Sequence, residues 1–461
     1  MSLAAAVDEP EAASGAGLSG PRRALAIAAV LGAMSLVVLD AGMANVALPT
    51  LARALGAPPA QAVLVVTAYQ TALVMALLPC AAIGERFGNR RVFQGGVGLF
   101  VVASALCAAA PSLPWLVAMR LLQGLGGAAV MALGVALIRE AVTPRELGAA
   151  IGWNALTVAL SSAAAPPLGA LVIARLDWTW LFLVNLPIGG LALLAAFALP
   201  RGAGRARRLD LASMALNGAG FALLVAGAEL LPRAPMAATA VFAAAALALT
   251  VLVRREAPKA APLIPLDLLR SRPFRISIMA SVCCFTATAA ALVALPFYLQ
   301  HGLGQSPLMI GLCMSPWPLS VAVTVAVSSR LAGRVSTAVL CAFGGGVLAA
   351  GLAGLALWPV SGDLRPFVGL AVVCGVGFGL FQPANNRNIF LSAPADRSGA
   401  AGGMQGTARL TGQTAGAVVM TLLFSAAPLA NAPRIGLGVG AGLALLSALV
   451  SLRGRPGRGA P

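Results

Sequence analysis

Residues 24–48 read ALAIAAVLGAMSLVVLDAGMANVAL, an apolar run in which the only charged side chain is Asp40. An α-helix rises 1.5 Å per residue, so this run would be about 37 Å long. That length is enough to cross the hydrocarbon core of a bilayer, which is roughly 30 Å thick. The stretch therefore predicts a membrane-spanning helix rather than a helix of a water-soluble domain.

The same pattern recurs along the rest of the chain. Thirteen further apolar runs, most of them about 20 residues long, lie between polar or Pro/Gly-rich breaks. They are found near residues 60–82, 92–110, 114–138, 147–174, 180–199, 211–231, 236–253, 275–299, 307–329, 335–357, 366–391, 399–425 and 434–452. The sequence thus predicts an all-α polytopic membrane protein with fourteen transmembrane helices, in which two groups of six are separated by an inserted pair.

The polar linkers between these groups divide the chain into five parts. We expect a disordered cytoplasmic tail at 1–21, a six-helix bundle at 22–200, a cytoplasmic linker with two inserted helices at 201–255, a second six-helix bundle at 256–453 and a cytoplasmic tail at 454–461.

Charge predicts the orientation of these helices. The chain has 31 Lys and Arg residues against 14 Asp and Glu residues, a net charge of +17. If the N-terminus is inside, the outer loops carry only Arg53, Arg175, Arg233, Arg365 and Arg434. Since cytoplasmic loops are the ones enriched in Lys and Arg, we expect both termini in the cytoplasm and a multi-pass protein of the cytoplasmic membrane. The positive charge then reflects topology, and no nucleic-acid partner is expected.

Composition argues against several other classes of protein. With 59% hydrophobic residues, 10% charged residues and a mean hydropathy of +0.92, the chain departs from soluble domains, which have about 45–50% apolar and 25% charged residues. The single histidine, His301, cannot form a metal cluster or a Ser/His pair alone. The G-x-x-x-x-G-K-[ST] loop of ATPases is missing. We therefore expect neither an enzyme nor a metal or other cofactor.

Five short segments carry a resemblance to a known family. They are LDAGMANVALP (39–49), AAIGERFGNRR (81–91), RLLQG (120–124), SSAAAPPLGA (161–170) and WTWLFLVNLPIG (178–189). In this order they resemble the motifs of the major facilitator superfamily and, within it, of the second drug:proton antiporter family, its fourteen-helix branch. The third segment matches its motif fully, whereas the fourth keeps only Pro166 and Gly169 of a glycine-rich motif. The resemblance implies two six-helix bundles that rock around a central cavity.

Asp40 is the most informative side chain, because a carboxylate inside an apolar span costs about 2.5–3.5 kcal/mol on insertion scales. A low-dielectric environment favours its protonated form, so protonation can alternate with substrate binding. Arg120 lies inside the fourth span, where its charge requires a partner, and Asp40 is the candidate. The resemblance implies that Arg120 and Gln123 take part in proton transfer. We expect Asp40, Arg120 and Gln123 to couple transport to protons; the alternative is a permanent structural ion pair.

The loop after the second span is the second candidate site. The resemblance implies that Glu85, Arg86, Gly88, Arg90 and Arg91 form a conformational latch, with the glycine permitting a tight turn. The alternative is that these arginines only anchor the topology.

A bend in the fifth span is the third candidate feature. Pro166 and Pro167 remove backbone donors, and Gly169 permits close helix packing. In the family this bend is associated with export; ordinary helix packing is the alternative.

Four further polar residues are candidates for the cavity: Asn45, Glu229, Arg387 and Arg409. For Glu229 a solvated carboxylate beside Arg233 is the favoured interpretation. For the two arginines, structural pairing is the alternative.

The resemblance implies a proton-coupled antiporter that exports small amphiphilic or hydrophobic compounds, such as drugs, dyes or natural products. The alternative is a secondary carrier for one specific metabolite, by export or uptake. The expected partners are a small-molecule substrate, protons and the lipid bilayer. We expect a monomer, with accessory export proteins as candidate partners.

Overall fold

The computed structural model describes residues 18, 20–143, 145–202, 204, 209–259, 266–331, 335–358, 363–394 and 397–453. These residues form fourteen long helices and no strand. The helices are α1 (Gly20–Ala54), α2 (Pro59–Phe87), α3 (Asn89–Ala108), α4 (Leu113–Ala141), α5 (Leu147–Arg175), α6 (Trp180–Ala198), α7 (Leu211–Leu230), α8 (Pro235–Glu256), α9 (Arg272–Gly302), α10 (Pro307–Ser328), α11 (Thr337–Leu357), α12 (Arg365–Leu391), α13 (Ser398–Ala426) and α14 (Ala432–Leu452). The predicted C-terminal tail and, apart from residues 18, 20 and 21, the predicted N-terminal tail lie outside the described residues.

The predicted fold class is confirmed, with one helix for each apolar run. Thirteen of the helices in the described part of the chain are long and apolar enough to cross a membrane. The fourteenth, α13, has 29 residues and is more polar, because it contains Gln405, Arg409 and Gln413. A spanning helix of this composition must turn its polar side chains towards protein or a cavity rather than towards lipid.

The long helices pack into two bundles, α1–α6 and α9–α14. Glycines bring neighbouring helices of each bundle into backbone contact. A Cβ placed on Gly126 of α4 would lie 2.6 Å from the carbonyl oxygen of Gly96 on α3, and one on Gly377 of α12 would lie 2.3 Å from the amide nitrogen of Leu348 on α11. Small residues permit such close approach where lipid offers no hydrophobic driving force for helix association.

The two bundles meet at the end of the molecule remote from Gly20, where α1 begins. A Cβ on Gly311 of α10 would lie 2.3 Å from the Cβ of Ala170 on α5. Arg53 of α1 and Gln300 of α9 also meet here, in the amide orientation in which the Gln300 oxygen accepts from the guanidinium. Residues of α1, α2 and α5 share one buried apolar cluster with α9 and α10. We call this region the closed end.

The inserted helices α7 and α8 form a hairpin that contacts both bundles. Its own packing is close, since Gly220 faces Leu249 and Gly227 faces Phe242. Towards the first bundle, Asn217 Nδ2 of α7 donates to the backbone oxygen of Met75 on α2 at 2.9 Å. Towards the second bundle, α7 packs on α13.

A polar cluster joins the two ends of this hairpin. Asp210 caps α7 by accepting from the backbone nitrogen of Ser213 at 3.0 Å. The same carboxylate accepts from Lys259 Nζ, beyond α8, and from Arg255 at 3.3 Å. The hydrogen bond from Lys259, followed by that from the Ser213 backbone, holds the pKa of Asp210 well below its usual value.

Candidate functional site

A buried ion pair lies inside the first bundle. Asp40 on α1 is 2% exposed and Arg120 on α4 is fully buried. Arg120 Nη1 donates to Asp40 Oδ2 at 2.5 Å. A charge at this depth requires compensation, and the opposite charges of Asp40 and Arg120, on two adjacent helices, compensate each other in the apolar interior.

Two amide side chains complete the surroundings of the carboxylate. Gln123 Nε2, one helical turn after Arg120, donates to Asp40 Oδ1 at 2.9 Å, and Asn185 Nδ2 from α6 donates to the same oxygen at 2.7 Å. Gln123 Nε2 also lies 2.8 Å from Ser104 Oγ of α3, which donates in turn to the Phe100 carbonyl. Side chains of α4 and α6 thus bond directly to the Asp40 carboxylate of α1, and Ser104 of α3 bonds to the amide of Gln123.

The guanidinium of Arg120 is held by further contacts of its own. Its Nε donates to the backbone oxygen of Val65 on α2 at 3.0 Å, and Nη1 also lies 2.5 Å from Gln123 Oε1. Its Cζ lies 4.2 Å from the ring centroid of Tyr69 and 5.7 Å from that of Phe182, a cation–π arrangement. Its Nη2 is buried without an acceptor. The Nη2 group of Arg120 is thus a donor without a hydrogen bond in this conformation.

This geometry stabilises the two charges together and neither alone. Three donor groups, from Arg120, Gln123 and Asn185, face the Asp40 carboxylate and compensate its charge. Adding a proton to Asp40 would weaken its hold on Arg120 and leave a buried cation. Breaking a buried pair in this way costs about 3–5 kcal/mol. Removal of either charge alone would therefore destabilise the cluster.

The structure brings Asp40, Arg120 and Gln123 into one cluster, the pairing that the sequence suggested. Sequence reasoning gave no role to Asn185 or Ser104. Asn185 had a detectable signal, because it is a lone amide within the apolar run 180–199. Ser104 had none, since a serine in a membrane helix commonly bonds to its own backbone, as this one also does.

The loop between α2 and α3 contacts its own bundle in this conformation. Gly88 has φ +93°, a backbone conformation that other residues rarely adopt. Arg90 Nη1 donates to the Leu199 carbonyl at 3.0 Å, and Arg86 lies over the ring of Phe87. A cavity of about 240 Å³ lies next to this loop. It is lined by Phe87, Gly88, Arg90, Arg91, Gln94, Arg201, Gly202 and Gly204. A latch between the bundles, including any part for Glu85, stays a prediction.

The segment around Pro166 and Pro167 remains helical and lies where three helices meet. A Cβ on Gly169 would lie 3.0 Å from the Cα of Met43 on α1, and Ala170 faces Gly311 on α10. The small residues of α5 thus form close contacts both within the first bundle and across the closed end.

The four candidate cavity residues are distributed over four helices. Asn45 of α1 donates to the Ala41 carbonyl, and its Oδ1 is buried without a donor. Glu229 of α7 lies against Thr421 of α13, and its Oε1 is buried without a partner, so this carboxylate is not the solvated side chain that the sequence favoured. Arg387 is exposed near the end of α12. Arg409 is partly buried in the middle of α13. The described residues contain no group of three potential metal ligands.

Comparisons with known proteins identify a family and several similar transporters. A sequence profile described as Major Facilitator Superfamily matches residues 30–417. The chain is 42% identical over 443 residues to YebQ of Escherichia coli (strain K12), described as an uncharacterized transporter, with 94% of this chain and 96% of the relative covered. It is 30% identical over 459 residues to the tetracenomycin C resistance and export protein of Streptomyces glaucescens, covering 93% and 83%. It is 26% identical over 381 residues to the riboflavin transporter RibZ of Clostridioides difficile (strain 630), covering 80% and 81%.

Solved structures share the same architecture. A bacterial homologue of the human lysosomal transporter Spinster, in an inward-facing and unoccupied conformation, matches with a TM-score of 0.66 at 15% identity, covering 96% of this chain and all of that chain. A peptide transporter in complex with sulfate matches with a TM-score of 0.71 at 17% identity, covering 93% of both chains. At such identities the likeness concerns the fold alone.

Proposed function

We propose that this chain, which belongs to the Major Facilitator Superfamily, exports small amphiphilic or hydrophobic compounds across the cytoplasmic membrane in exchange for protons. Family membership makes it a multi-pass membrane transporter and not an enzyme. The observation that carries the proton-coupling part of the proposal is the buried pair of Asp40 and Arg120. Export of an amphiphilic compound is supported by the relative named for tetracenomycin C resistance and export.

In the proposed cycle a proton binds to Asp40 inside the first bundle and breaks its ion pair with Arg120. When Asp40 is ionised, Arg120, Gln123 and Asn185 hold it, and α1, α4 and α6 stay locked together. A proton on Asp40 releases Arg120, whose unpaired Nη2 can then take another acceptor. Since the released cation is costly to bury, the protonated state favours a different arrangement of these helices. Proton binding thereby biases the exchange between two conformations.

The proposed orientation makes the closed end the outer one. With the termini in the cytoplasm, as the charge distribution favours, contacts such as Gly311 against Ala170 lie at the outer membrane surface. The described conformation is then closed at the outer surface, and the inner halves of α2 and α13 are also in contact, where a Cβ on Gly406 would lie 3.1 Å from Leu77 Cδ2. In the outward-facing state the loop of Glu85, Arg86, Gly88, Arg90 and Arg91 would act as the inner latch.

The second candidate function is a secondary carrier for one defined metabolite. It is favoured by the relative named as a riboflavin transporter. Both functions use alternating access. An exporter of amphiphilic compounds should be inhibited by many unrelated compounds that compete for transport, whereas a metabolite carrier should be inhibited by one compound only.

The decisive experiment measures proton flux in proteoliposomes with an internal pH dye. Adding a transported fluorescent compound should move protons in the wild type, and Asp40→Asn should abolish this flux. The matched control is Glu146→Gln, which neutralises an acid in the solvent-accessible pair with Arg23. Unchanged proton flux in a well-folded Asp40→Asn variant would contradict the role of Asp40. Transport that is insensitive to the pH gradient in the wild type would contradict antiport, and competition by one compound only would favour the metabolite carrier.

A further inference from the structure

Arg409 lies deep in the part of the molecule that spans the membrane. The 29 residues of α13 are about 43 Å long, and Arg409, the twelfth residue, lies about 17 Å from the start of the helix. If α13 is centred on a hydrocarbon layer of roughly 30 Å, the Arg409 backbone is about 10 Å inside it. A side chain at this depth cannot reach the polar headgroups easily, so its charge requires a partner or a cavity.

The direction of the Arg409 side chain follows from two neighbouring glycines. Gly406 faces α2 of the first bundle, because a Cβ there would lie 3.1 Å from Leu77 Cδ2. Gly412 faces α9 of the second bundle, because a Cβ there would lie 2.8 Å from the Val282 carbonyl oxygen. With 3.6 residues per turn, these two directions lie about 60° on either side of Arg409. Its side chain therefore points between the two bundles.

In the described part of the chain, Arg409 has no counter-ion. Its Nε is buried without an acceptor, and no ion pair there includes it. After Asp267 the sequence contains only Asp363 and Asp396, both between helices. Glu229 lies against Thr421, which is twelve residues, or about 18 Å, further along α13. Asp40 is already bound by Arg120.

One other polar side chain near Arg409, that of Gln70, also lacks a partner for one of its atoms. Gln70 lies seven residues before Leu77 and so on the same face of α2, the face turned towards α13. The Oε1 of Gln70 is buried without a donor. Measured from the contact of Gly406 with Leu77, Gln70 is about 10 Å further along α2 and Arg409 about 4.5 Å further along the antiparallel α13, so the two residues are offset by about one helical turn.

We propose that Arg409 binds an anionic group, a carboxylate above all, of the transported compound. This rests on the proposed transport function and narrows its substrate class to amphiphilic organic acids. A guanidinium binds a carboxylate through two parallel hydrogen bonds, which makes it more specific than a general cationic surface. Gln70 supplies an adjoining polar contact, and the apolar side chains between the bundles receive the rest of the compound.

The test compares an acid with its neutral analogue. The probes are N-dansyl-phenylalanine and its amide, and binding to the full chain in nanodiscs is measured by energy transfer from its six tryptophans. The wild type should bind the acid about tenfold more tightly than the amide, or better, a ratio equivalent to about 1.4 kcal/mol. Arg409→Gln should reduce the ratio of acid to amide affinity to about one, and Arg409→Lys should retain part of the preference.

Arg434→Gln is the matched control, because it also removes one guanidinium from the second bundle but one that donates to the Ala356 carbonyl. The acid preference should persist in this variant. The inference is overturned by a wild type without the preference, including one that binds neither probe, or by an Arg409→Gln variant that keeps it. The proposed function fails separately: if Arg409 governs acid binding but the pH gradient drives no transport, only the antiport proposal is lost.

Discussion

Replacing Gly311 by alanine should open the closed end of the transporter. The new Cβ would lie 2.3 Å from the Cβ of Ala170 and 2.7 Å from the carbonyl oxygen of Pro166. Carbon atoms in contact are normally about 3.5–4.0 Å apart, so α5 and α10 would have to separate by roughly 1.2–1.7 Å. Neither neighbour is the mobile tip of a long side chain, so the two helices themselves must move.

The size of the effect follows from the cost of overpacking, which is typically about 1–3 kcal/mol. This cost applies only in the conformation in which α5 and α10 touch, because the two helices belong to different bundles. A penalty of about 2 kcal/mol corresponds to roughly a thirtyfold shift of the equilibrium away from that conformation.

Hydrogen–deuterium exchange measured by mass spectrometry would detect this shift. Peptides from the second half of α5 and the first half of α10 should exchange faster in Gly311→Ala, and peptides from the opposite end should exchange more slowly. Gly346→Ala is the control, since no atom lies within 4 Å of its Cβ position. Gly169→Ala, which crowds Met43 inside the first bundle, should lower the unfolding temperature without this asymmetric pattern. Unchanged exchange at the closed end of Gly311→Ala would refute the reasoning.

Three further substitutions test the polar clusters by thermal unfolding. Asn185→Ala removes a donor to Asp40 and should destabilise the protein by about 1–3 kcal/mol; an unchanged unfolding temperature would show that the bond contributes nothing. Asp210→Asn should lower the unfolding temperature at pH 7, and the difference from wild type should shrink below about pH 4. The pKa of Asp210 is lower in the folded protein than in the unfolded chain, so its stabilisation is complete above the unfolded-state pKa. This stabilisation is lost as the pH falls from there through the folded-state pKa. A pH-independent difference would contradict this. Glu229→Gln should keep or raise the unfolding temperature, since the carboxylate Oε1 is buried without a donor, and a marked fall would contradict it.

The helices could be predicted from the sequence because each one must satisfy its own backbone in lipid and therefore needs a continuous apolar run. Even α13 was predicted, at 399–425, although Arg409 and its glutamines lower its hydropathy. The predicted ends of the helices are less accurate than the predicted helices themselves. The apolar run 24–48 lies within the longer helix Gly20–Ala54, because helical hydrogen bonding continues past the point where side chains become polar.

The candidate site could be predicted only where a charge required a partner. Asp40 and Arg120 were each too costly to bury alone, so their pairing could be inferred. The roles of Asn185 and Ser104 depend on how α3 and α6 pack against α1, and no local pattern in the sequence specifies that packing. Glu229 differs from its expected environment for the same reason, since its burial results from α7 lying against α13.

The hairpin of α7 and α8 is attached on two sides, and this has a mechanical consequence for rocking bundles. When the bundles rotate relative to each other, a rigid hairpin cannot remain fixed to both. Asn217 Nδ2 donates to the Met75 carbonyl of the first bundle, and the Glu229 carboxylate contacts Thr421 of the second bundle. A rotation of the bundles should therefore break one of these two polar contacts, so that the hairpin moves with one bundle while sliding along a helix of the other.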